Sequence, residues 1–145
     1  MKTESKRSRA ALPAALLLAG LLSACASAVN SSKADVALTG ANEVPAVVTY
    51  ATGNASFTVD RDWTVNGRLT TSGIDATVAH IHEGRQGANG PVIIPLVRSG
   101  PNEWTVAPGT RLTDSQFRSY RAGGLYVNVH SANSPNGEIR GQLTP

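Results

Sequence analysis

The 145-residue chain has one cysteine, one methionine and seven aromatic residues, and each scarcity removes a class of structure. With only Cys25 available no disulfide can form within the domain, so stability has to come from an apolar core. The single methionine is Met1, so beyond it no thioether is available and a soft-sulfur copper(I) carrier has no ligands. No apolar run approaches the roughly 18 to 20 residues that cross a bilayer as a helix. No long Ala/Glu/Lys/Leu-rich periodic stretch supports a helical bundle or coiled coil. What remains is 41% hydrophobic and 16% charged, with 14 glycines and 8 prolines. That composition reads as one ordered domain of many short strands joined by turns.

The formal net charge of +3 is concentrated at one end. Lys2, Lys6, Arg7 and Arg9 stand against Glu4 alone, and residues 25–145 carry nine basic and nine acidic groups. A nucleic-acid partner therefore has no support from the domain itself. The basic start is followed by the apolar run Ala11 to Leu22, which makes residues 1–24 a signal peptide. Leu22-Ser23-Ala24-Cys25 resembles the lipobox of bacterial lipoproteins. The resemblance implies cleavage before Cys25, lipidation of that residue, and attachment to the cell envelope. Ala26, with no aspartate at that position, suits the outer membrane of an organism that has one. Residues 25–34 then form a small, polar tether, and the domain runs from Asp35 to Pro145.

Period-two alternation predicts strands at Asp35–Thr39, Gly53–Asp60, Trp63–Thr71, Thr77–His82, Val92–Val97, Leu125–His130 and Glu138–Leu143. Thr113 to Arg121 opens with capping residues and ends before Gly123-Gly124, which predicts one short helix near residues 114–121. About eight short strands at this spacing suggest an all-β Greek-key or immunoglobulin-like β-sandwich.

The chemistry concentrates at three histidines. His80 and His82 are two apart on a strand, so both imidazoles share one face while Ala79 and Ile81 take the other. His130 closes a second strand on the face of Tyr126 and Asn128, with Leu125, Val127 and Val129 directed to the core. Each histidine strand runs into a Gly/Asn/Pro loop. If the strands are neighbours, three imidazoles meet beside those loops, a set suited to copper(II) or zinc. Glu138 or Asp75 would then accept an imidazole N–H and fix its tautomer, with Tyr126 close by. Glu138 and Arg140 would pair along an outward polar face, and Trp63 and Trp104 would pack in the core or at its rim.

The run Ala79-His80-Ile81-His82-Glu83-Gly84, then Gly90-Pro91-Val92, Leu125 to Ser131 and Asn136 to Leu143, is similar to the CHRD domain first described in chordin. Leu38 to Pro45 resembles that family's opening motif. The likeness spans residues 35–144 and implies an immunoglobulin-like sandwich related to copper/zinc superoxide dismutases, which also use a His-x-His strand for copper.

Dismutase chemistry in its usual form needs a fourth copper histidine, zinc ligands and a disulfide, none of which this chain supplies, so the expectation is a binding protein and not an enzyme, with a copper-dependent redox enzyme as a distant third reading. A lipidated amine excludes a histidine-brace oxygenase, and a triad of Ser131, His130 and Asp75 lacks any nucleophile-elbow motif. Two readings remain open. One is an envelope lipoprotein that binds copper or zinc through His80, His82 and His130. The other is a metal-free adhesion or scaffolding module with a protein or polysaccharide partner, its histidines satisfied by backbone carbonyls or carboxylates.

Overall fold

A computed structural model describes residues 31–145; the expected signal peptide, Cys25 and residues 26–30 lie outside it. Eight strands form in chain order: β1 (Ser32–Thr39), β2 (Thr52–Val59), β3 (Val65–Ser72), β4 (Ala76–Glu83), β5 (Val92–Gly100), β6 (Glu103–Val106), β7 (Leu125–Ser131) and β8 (Ile139–Leu143). One helix, α1 (Asp114–Arg121), lies between β6 and β7. The first strand opens at Ser32, so the last residues of the expected tether are part of the sheet.

Inward apolar residues set the register. In β2, Gly53, Ala55, Phe57 and Val59 are buried, and β3 answers with Val65, Leu69 and Thr71. Phe57 lies opposite Gly67, where a Cβ would collide with its ring, so the missing side chain makes room for the aromatic one. Leu38, Phe57, Leu69, Ile81, Val127 and Ile139 are each at most 1% exposed and belong to one continuous core.

The all-β reading holds, but the architecture is a closed antiparallel barrel in the order β1-β2-β3-β6-β5-β4-β7-β8, and not an immunoglobulin-like sandwich. Two features close it. β6, a strand absent from the alternation read in the sequence, pairs with both β3 and β5. Thr39 of β1 pairs with Arg140 of β8. Among the described strands each has a paired neighbour on both sides, the β1–β8 seam resting on that one pair. The Greek-key element persists, because the consecutive strands β4, β5 and β6 are flanked by β7 and β3.

The helix forms where its local chemistry predicts. Thr113 and Gln116 make a reciprocal capping box, Arg118 and Arg121 lie in the last turn, and Arg118 pairs with Asp114. Phe117 stacks on Trp63 at 5.9 Å between centroids. Tyr120, 1% exposed, packs with Val59, Val65, Leu125 and Leu143 at one end of the barrel, and its hydroxyl meets Ser32 Oγ at 3.1 Å. Trp104 is in the core.

Candidate metal centre

β4 divides its side chains as alternation requires: Ala79 and Ile81 are 1% exposed in the core, and His80 and His82 stand on the outer face. β7 pairs antiparallel with it, placing Tyr126 opposite His82, Asn128 opposite His80, and His130 opposite Val78. All three histidines thus occupy one outer patch of two neighbouring strands. Their ring centroids are 5.6 Å (His80–His82), 5.0 Å (His80–His130) and 6.2 Å (His82–His130) apart.

This outer face is not a wet one. Every residue of β7 is buried, although alternate residues of a strand point to opposite sides. The outward set is covered by the loops that follow the histidine strands. Gly90 N–H donates to Tyr126 Oη at 3.1 Å, and Asn89 Nδ2 donates to the Val44 carbonyl at 2.7 Å, joining the 84–91 loop to the segment after β1. His82 and His130 are 7% and 8% exposed, and His80 is half-buried.

Hydrogen bonds settle which ring nitrogens are available. His82 Nδ1 donates to the Gly90 carbonyl at 3.0 Å, and His130 Nδ1 donates to the Pro135 carbonyl at 2.9 Å. In a neutral imidazole the other nitrogen then carries a lone pair. His130 Nε2 faces His80 Nδ1 at 3.1 Å, so His80 supplies the proton of that contact. His82 Nε2 is buried without a hydrogen-bond partner, although the Asn128 carboxamide contributes to its electrostatic surroundings. One ligand atom from each histidine lies within 4.8 Å of the other two. Two nitrogens bound tetrahedrally to one ion at about 2.0–2.1 Å stand roughly 3.3 Å apart. His80 Nδ1 and His130 Nε2 already stand close to that spacing, ligation through His80 Nδ1 requires its proton to move to Nε2 of the same ring, and the His82 ligand atom lies within 4.8 Å of both.

Electrostatics favours the ligand form. Burial holds the His80 pKa below 6.5, with the neighbouring His130 and His82 acting in the same direction. Burial likewise lowers His82, opposed in part by its bond to the Gly90 carbonyl. Neutral imidazoles bind metal without first losing a proton.

The surrounding groups differ from expectation. Neither expected carboxylate orients an imidazole. Asp75 is exposed ahead of β4, and Glu138 accepts from Thr49 Oγ1 at 2.7 Å and from Ser131 Oγ. Peptide carbonyls take that role, because the loop after each strand folds back over the ring. Ser131 Oγ donates to Glu138 and His130 Nδ1 to Pro135, so no Ser131–His130–Asp75 triad is assembled. Tyr126 does sit beside the cluster, stacked on His82 with centroids 4.8 Å apart and planes 11° apart. Arg140, expected to pair with Glu138 on an outward face, is 1% exposed and lies over the Tyr126 ring at 3.4 Å. Sequence reasoning missed the Gly90 and Pro135 carbonyls and the burial of Arg140. The Gly-Pro and Ser-Pro steps in the two loops were the signal that the chain turns back there.

A closed antiparallel Greek-key barrel carrying three convergent imidazoles under its own loops defines a class: an all-β domain with a candidate metal centre on its outer wall. The family model of the CHRD domain matches residues 34–143, and the chain belongs to that family. Neither the curated proteins nor the solved structures give a match.

Proposed function

We propose that this domain binds one transition-metal ion, copper(II) or zinc, through His80, His82 and His130, and that lipidated Cys25 holds it at the cell envelope. The observation that carries the reading is the commitment of two Nδ1–H groups to main-chain carbonyls. Those bonds leave the Nε2 atoms of His82 and His130 as lone-pair donors in a cluster within ligand reach. Orientation of ligating imidazoles by a second hydrogen bond is the usual support of a protein metal site. A fourth position would be left to water or to a ligand from a partner. The reading is of binding for storage, buffering or delivery.

The test is calorimetric titration of Ala26 to Pro145, which contains all eight strands of the described residues, with Cu(II) and with Zn(II). One-to-one binding that is lost in both His80→Ala and His130→Ala is the expected result. Equal binding by the chain and its variants would remove the shared site and leave the histidines as packing residues.

A further inference from the structure

Arg140 is a cation almost completely removed from water, and its partners are unusual. Among the described residues no carboxylate forms an ion pair with it within 4.0 Å; Glu43 acts on it only at longer range. Its guanidinium instead donates to the carbonyls of Arg85 (3.1 Å) and Ala88 (2.9 Å) and to Asn89 Oδ1 (3.3 Å). These three acceptors lie on the 84–91 loop, whose residues 85–89 are themselves exposed, and a fourth, Gln142 Oε1 at 3.4 Å, lies on β8 beside Arg140. A buried fork therefore holds an exposed loop from beneath, and a guanidinium offers five N–H donors in a fixed plane where an ammonium has three that rotate.

The same loop ends at Gly90. Its carbonyl takes the His82 Nδ1 proton, and its N–H donates to Tyr126 Oη. Tyr126 is sandwiched, with the His82 ring on one contact and the Arg140 guanidinium on another. No side chain fits at Gly90, since a Cβ there would collide with the Glu83 carbonyl. Two routes thus lead from Arg140 to one imidazole, one through the loop backbone and one through the phenol.

We propose that Arg140 is a positioning residue for the metal centre: by clamping the 84–91 loop and the Tyr126 ring it holds His82 in the Nδ1–H tautomer with Nε2 free to ligate. This rests on the metal-binding reading, but its first readout does not need metal. Nitrogen-15 NMR of the metal-free protein at about pH 8, where imidazoles are neutral, reports the His82 tautomer directly.

The wild-type chain is expected to show His82 protonated at Nδ1 alone. Arg140→Met is expected to show a mixture of tautomers, and to weaken Cu(II) or Zn(II) binding by about 10- to 100-fold, the usual range for loss of an outer support. Tyr126→Phe, which removes the hydroxyl and keeps the ring, is expected to shift the tautomer in the same direction and by less, and it decides the matter should Arg140→Met not fold. Leu69→Ala, in the core and away from the loop, is expected to lower stability and leave tautomer and affinity unchanged. A wild-type tautomer in folded Arg140→Met, or in Tyr126→Phe when the arginine variant is unfolded, overturns the proposal. So does an equal tautomer shift in Leu69→Ala, which would make the effect one of general loosening. Failure of the wild-type chain to bind either metal would instead remove the function proposed above and leave the tautomer result standing.

Discussion

At the scale of single residues, the histidine cluster ties stability to pH. The folded-state pKa values of His80 and His82 are held below 6.5, chiefly by burial. Between the folded value and 6.5 the unfolded chain binds protons that the folded one does not, so this contribution is present above pH 6.5 and lost as pH falls through that window. Glu43 works in the opposite sense, because burial raises its carboxyl above 4.5. The histidine contribution is therefore isolated as a difference. Urea midpoints of metal-free wild type and His82→Asn, measured from about pH 7.5 to pH 5, should converge on acidification, and parallel curves would remove the assignment. The three ligand candidates could be read in the sequence, since two of them sit two apart on a strand and the third ends a strand of matching character. Their orienting partners could not. Every residue owns a carbonyl, and only the path of the loop decides that Gly90 and Pro135 present theirs to a ring. Arg140 was hidden for a related reason: alternation marks it as outward, and outward means solvent only where no loop returns to cover the strand.

At the scale of elements, the helix is the clearest case of local chemistry deciding structure. Thr113 Oγ1 accepts from Gln116 N at 3.2 Å, and Gln116 Oε1 accepts from Thr113 N at 2.8 Å. Thr113→Ala removes one of these bonds and is expected to cost about 1 kcal/mol, read as a lower melting temperature with metal affinity unchanged. Such a cap is legible because both partners lie within four residues. Strand β6 is the opposite case. It has four residues between turns at Pro101-Asn102 and Pro108-Gly109, too few for alternation to stand out, and its pairing with β3 and β5 is non-local. Without it the remaining strands suggest two facing sheets; with it the hydrogen-bond ladder runs on around the wall. The difference between sandwich and barrel thus rests on a short strand around Trp104.

For the molecule as a whole, metal should act as a folding ligand. An ion that binds the native cluster and not the unfolded chain, supplied at 100 times its dissociation constant, adds about 2.7 kcal/mol. The melting temperature of the wild-type chain should therefore rise with added Zn(II), and that of His130→Ala should not. The sign of this effect does not depend on which metal is physiological. Barrel closure has its own bearing on display. β1 and β8 are antiparallel neighbours at Thr39 and Arg140. Ser32 and Leu143 consequently lie on the same side of that pair, so the chain enters and leaves the barrel at one pole. The segments 40–51, 73–75 and 132–138 gather at the other pole, where Val48 and Tyr50 are fully exposed. Were the chain anchored through Cys25 as proposed, the attachment would fall at the pole of entry, and the far pole with Val48 and Tyr50 would be the one turned outward.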